Sequence, residues 1–87
     1  MIAIAIVEDD QQEQKRLQQY LMRYAMENQQ TFSFALYSNA LDYLEDKQKF
    51  DIVFMDIMLP NMTGMEAAAR MRAYDSKTVL IFVTTMV

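Results

Sequence analysis

Residues 2–7, I-A-I-A-I-V, form a continuous apolar run that stops at Glu8-Asp9-Asp10. Six residues are too few for a helix, and the run predicts a strand buried on both faces. A polar stretch follows in which Leu17, Tyr20, Leu21 and Tyr24 recur at i, i+3, i+4 and i+7. That period predicts an amphipathic helix over about 11–27 with Tyr20 and Tyr24 on its packing face. Asn28-Gln29-Gln30 breaks the helix, and Phe32, Phe34 and Leu36 then alternate with Ser33 and Ala35, the period of a second strand. Ser38 is placed to cap a short helix carrying Leu41 and Leu44 that gives out near Lys47. Phe50 and Ile52-Val53-Phe54-Met55 predict a third strand, ended by Asp56. The only proline and the only glycine, Pro60 and Gly64, punctuate the loop that follows. A helix over about 65–74, through Ala67, Ala68, Met71 and Tyr74, leads to a last strand, Val79 to Thr84.

The order β-α-β-α-β-α-β calls for a parallel sheet with right-handed crossovers and helices on both faces. Open sheets of this kind bind ligands at the carboxyl ends of their strands. Three strands end in Glu8-Asp9-Asp10, in Asp56 and in Thr84, so three polar groups converge on one edge.

Composition narrows the chemistry at that edge. The 87 residues suit one domain, with 53% hydrophobic and 23% charged residues as in ordinary globular chains. Without cysteine or histidine the chain lacks a thiolate nucleophile, an imidazole base and soft metal ligands. The net charge of -4 argues against nucleic acid and anionic membrane as partners of this chain. Setting aside Glu8, Asp9, Asp10 and Asp56 leaves acids and bases equal, so the excess acidity is local. No run approaches a membrane span and the amino terminus carries no basic flank like a signal peptide's, so the expected location is cytoplasmic.

Carboxylates gathered within a few ångströms repel, and they either take up protons or recruit a cation. An all-oxygen donor set selects a hard ion, and Mg²⁺ fits best. With the charge so offset, the Asp56 carboxylate can attack a phosphoryl donor to form an acyl phosphate, and the Thr84 hydroxyl can donate to a phosphoryl oxygen. Taken singly, each feature has an ordinary explanation. An acidic run can favour a helix N-terminus, Asp56 can open a turn, and Thr84 can be a β-branched strand residue. Their joint occurrence at one edge favours a site.

Here the residues resemble the receiver domain of bacterial two-component response regulators. The resemblance rests on the acidic pair after the first strand, Asp56 opening D-I-M-L-P-N-M-T-G, and Thr84 ending the fourth strand. It implies a flavodoxin-like sheet of order 2-1-3-4 over these four strands, the topology that a standard example of this fold already illustrates. It also implies Asp56 as phosphoacceptor, with Glu8, Asp9, Asp56 and the backbone carbonyl of Met58 around Mg²⁺ and Thr84 as the switch hydroxyl. Asp10 and Thr85 are auxiliary candidates, and Glu8 stands where aspartate is commoner. The phrasing F-D-I-V-F-M-D-I and I-F-V-T-T is similar to receivers paired with LytTR-type DNA-binding domains.

The resemblance further implies a sensor histidine kinase as phosphodonor and an output domain, DNA-binding in that subfamily, outside this chain. Receivers are signalling phosphoacceptors and not enzymes in the usual sense. They also carry a lysine on a fifth strand, and the sequence stops at Val87, so residues 1–87 read as a receiver lacking its fourth helix, fifth strand and fifth helix. Lys77 precedes the fourth strand and cannot replace that lysine. Such a chain is expected to label poorly or not at all and to self-associate, and a binding or dimerisation module that is never phosphorylated is the alternative. A haloacid dehalogenase-type phosphohydrolase would need a second aspartate where Met58 stands. A flavin mononucleotide binder would need a phosphate cradle where the three acids stand.

Overall fold

The computed structural model describes residues 1–84, so Thr85 lies outside the described residues. The elements follow the predicted order: β1 (Ile2–Val7), α1 (Gln11–Glu27), β2 (Phe32–Tyr37), α2 (Ala40–Glu45), β3 (Ile52–Asp56), α3 (Gly64–Arg72) and β4 (Val79–Val83). The strands make one sheet of order β2-β1-β3-β4, parallel throughout, which is the CheY-like flavodoxin arrangement. Register carries Ile4 beside Phe34 and Ile52, and Val7 beside Tyr37 and Met55.

Alternation along each strand divides the apolar residues between two layers. Ala5, Val7, Tyr37, Val53 and Met55 join Ala40, Tyr43, Ala67 and Met71 in one buried cluster beneath α2 and α3. Ile4 and Ile6, each 1% exposed, lie on the other layer, beneath α1. Small Ala3 and Ala5 on the first layer leave room for the rings of Tyr37, Tyr43 and Phe50, which meet edge-on or tilted at 5.6–6.4 Å.

Several boundaries differ from the sequence expectation for local reasons. The cap of α2 is Asn39 and not Ser38: its Oδ1 accepts the Asp42 N–H at 2.8 Å. That helix ends at Glu45 because Asp46 turns extended and accepts the Tyr37 hydroxyl at 2.6 Å. Phe50 is buried but precedes β3, α3 stops at Arg72, and β4 stops at Val83. The packing face of α1 is also rotated from the expected one. Tyr20 and Tyr24 are 61% and 56% exposed, whereas Gln14 and Ala25 are buried with Leu17 and Leu21 half-buried between them. A polar residue occupies the core face here, since the Gln14 side-chain amide donates to the carbonyls of Tyr37 at 3.0 Å and Glu8 at 3.4 Å. Among the described residues no helix is long and apolar enough to cross a membrane.

Candidate functional site

The carboxyl edge of the sheet gathers the predicted groups because a parallel sheet ends all its strands on the same side. Glu8 and Asp9 directly follow β1, Asp56 is the last residue of β3, and Thr84 directly follows β4. Carboxylate oxygens of Glu8, Asp9 and Asp56 lie within 4.8 Å of one another. Asp56 is 2% exposed and Glu8 is 7% exposed, while Asp9 faces solvent. Two buried acids thus lie beside one that meets solvent.

Backbone donors orient the two buried acids. Asp56 Oδ1 accepts the Met58 N–H at 3.2 Å, and Glu8 Oε2 accepts the Asp10 N–H at 3.0 Å. Burial pushes the Glu8 carboxyl up from its ordinary 4.5 to about 7; the Asp10 N–H opposes this, and the neighbouring Asp9 and Asp56 carboxylates reinforce it. Three crowded carboxylates, one held close to neutral protonation, form a donor set that a hard divalent cation would relieve.

Asp10 does not join the cluster. Its Oδ1 caps α1, accepting the Gln12 and Glu13 N–H groups at 2.9 and 3.3 Å. Of the four acids expected together, three are together. Met58 sits at the rim, its side chain exposed and its backbone tied to Asp56. Thr84 is exposed and borders a cavity of about 180 Å³ between α1 and β4 that Glu8, Leu17 and Tyr20 also line. Lys77 lies at the opposite edge with Lys49, Asp51 and Asp75, as expected.

The loop after β3 is braced from several sides. Ile57 donates to the Val83 carbonyl at 3.1 Å and Gly64 donates to the Ile57 carbonyl at 2.9 Å, while Leu59 and Met62 are buried beneath. The left-handed residue of this loop is Asn61, with φ 68°, and no glycine has positive φ. Gly64 is needed for closeness instead: a β-carbon there would collide with the backbone carbonyl of Asp56. Sequence reasoning missed Gln14, Leu59 and Met62 as supports of the site. Leu59 and Met62 flank Pro60 and Asn61, and two apolar residues inside a turn were the available signal.

The chain matches the response regulator receiver domain over residues 4–87. Transcription factor SKN7 of Saccharomyces cerevisiae is 33% identical over 81 residues, covering 93% of this chain and 12% of that protein. SKN7 of Candida albicans is 29% identical over 83 residues, covering 93% and 14%. The chain thus spans a small fraction of the length of these curated relatives. Among solved structures, the BeF3-activated DrrB receiver domain superposes with a TM-score of 0.83 at 25% identity, covering all of this chain and 68% of that one. TrrA of Thermotoga maritima, in complex with Mg²⁺-BeF, superposes with a TM-score of 0.85 at 22% identity, covering 99% and 71%.

Proposed function

Because the chain belongs to the response regulator receiver family, we propose that Asp56 is its phosphoacceptor and that a sensor histidine kinase is the donor. The observation that carries this reading is the meeting of Glu8, Asp9 and Asp56 oxygens within 4.8 Å, with Asp56 buried at the floor. A carboxylate oxygen of Asp56 attacks the phosphorus of a phosphohistidine, an O–P bond forms, and the P–N bond breaks with the imidazole leaving and regaining a proton.

Glu8, Asp9, Asp56 and the Met58 carbonyl are the groups that would hold Mg²⁺, an all-oxygen set suited to that ion. When bound, the ion supplies charge that lets an anionic donor approach three carboxylates. The Met58 N–H orients Asp56 through Oδ1. Thr84, at the end of β4, presents the hydroxyl that reads the phosphoryl group out to the rest of the domain. The output is a domain outside this chain; the similarity to SKN7 transcription factors supports a transcriptional one. The whole acts as a cytoplasmic signalling domain and not as a metabolic enzyme.

Titration of the labelled chain with Mg²⁺ and then with beryllium and fluoride, followed by two-dimensional NMR, tests the assignment. The expected result is Mg²⁺-dependent shifts at Glu8, Asp9, Asp56 and Met58, then a second set reaching Thr84. Shifts that persist in Asp56→Asn on adding beryllofluoride would remove Asp56 from the role.

A further inference from the structure

Gln14 occupies the place where an apolar residue would extend the inward stripe of α1, which continues through Leu17, Leu21 and Ala25. A buried amide costs stability unless its donors are used. The Gln14 Nε2 donates to the Tyr37 carbonyl at 3.0 Å and, at a longer 3.4 Å, to the Glu8 carbonyl. The Tyr37 carbonyl also accepts the Glu8 N–H at 3.0 Å. Gln14 and the end of β2 thus hold Glu8 by both its N–H and its C=O.

The same residue closes the turn between β1 and α1. The Gln14 backbone N–H donates to the Asp10 carbonyl at 2.9 Å, and the Asp10 N–H returns to Glu8 Oε2 at 3.0 Å. Residues 8–14 are therefore fastened at Glu8, Asp10 and Gln14, with the exposed Asp9 carried between the first two. Two of the three clustered carboxylates ride on this turn. Every contact that fastens it lies among β1, β2 and α1.

We propose, resting on the reading of the cluster as an Mg²⁺ site, that Gln14 is a positioning residue for it. By joining the Glu8 and Tyr37 carbonyls, Gln14 fixes the turn that brings Glu8 and Asp9 to Asp56, and so sets how tightly the three carboxylates take up a divalent cation. Leucine or methionine at this position would suit the apolar stripe and the helix at least as well, so what the amide adds is fixed geometry. Coupling between two sites is reciprocal. If the Gln14 hydrogen bonds favour the geometry that binds the cation, a bound cation must favour those hydrogen bonds.

Calorimetric titration of the unsubstituted chain, Gln14→Met and Ala25→Gly with Mg²⁺, beside urea unfolding of each, tests this. Gln14→Met keeps the length of the side chain and removes its donors, whereas Ala25→Gly loosens the same helix near its far end. The Mg²⁺ dissociation constant should rise about tenfold in Gln14→Met, and stay unchanged in Ala25→Gly although its urea midpoint falls. In the unsubstituted chain, NMR should show the Gln14 side-chain amide exchanging with solvent more slowly once Mg²⁺ saturates, a readout that needs no variant. The Asn28 side-chain amide, which donates to the Tyr24 carbonyl at 2.9 Å at the end of α1, should not respond. Unchanged affinity in Gln14→Met, an equal loss of affinity in Ala25→Gly, or Gln14 exchange indifferent to bound Mg²⁺ would overturn the proposal and leave the metal site standing. No Mg²⁺ binding by the unsubstituted chain would overturn the metal site, and the proposal with it.

Discussion

Gly64 lies so close to the backbone carbonyl of Asp56 that any β-carbon at that position would fall inside van der Waals contact. The first residue of α3 is thus packed against the last residue of β3, and the loop between them is pinned to the site. Alanine is ordinarily the better helix former by about 1 kcal/mol. Here the collision is with backbone, which yields less readily than a side chain, so Gly64→Ala should destabilise the chain by about 1–3 kcal/mol in urea unfolding. A neutral or stabilising result would show that the approach is looser than described.

Asp10 and Asp9 are neighbours with different duties. Asp10→Ala removes the α1 cap and should cost about 1 kcal/mol of stability, while Asp10→Asn, which can still accept the same N–H groups, costs little. Asp9 contributes an oxygen to the cluster instead. Asp9→Asn should weaken Mg²⁺ binding by at least about tenfold with stability nearly unchanged, and calorimetric titration beside urea unfolding separates the two effects. Loss of Mg²⁺ affinity in Asp10→Asn equal to that in Asp9→Asn would count against the division.

Glu8 makes stability depend on pH. Its carboxyl is held at about 7 in the folded chain against an ordinary 4.5, so between those values the native state binds more protons than the unfolded state. Its contribution is fully present below pH 4.5 and is lost as pH rises through about 7. Glu8→Gln keeps an oxygen for the Asp10 N–H but cannot titrate. Relative to that variant, the unsubstituted chain should lose on the order of 2 kcal/mol over this window, read from urea midpoints at several pH values. Parallel profiles for the two chains would contradict the environment described for Glu8.

Much of this was legible in the sequence where one physical demand dominated. Continuous apolar runs could only be strands, and acids placed directly after two of them had to share an edge, so Glu8, Asp9 and Asp56 were identifiable before any coordinates. Asp10 was not separable from them, because a cap and a metal ligand both ask for a carboxylate. Ser38 and Asn39 are adjacent and both can cap, and only the backbone geometry decides for Asn39. The rolled face of α1 was hidden because Gln14 is buried by virtue of the two carbonyls it satisfies, which hydropathy cannot register. Gly64 was legible as a break, but its closeness to Asp56 is a tertiary contact.

The central claim is that Asp56 accepts a phosphoryl group in a site that works through Mg²⁺. Intact-mass spectrometry of the chain, after incubation with a small phosphodonor with and without Mg²⁺, tests it most directly. The account predicts a slow, Mg²⁺-dependent gain of a single phosphoryl group that is absent from Asp56→Asn. A gain that survives Asp56→Asn, or one that is the same with and without Mg²⁺, would contradict it.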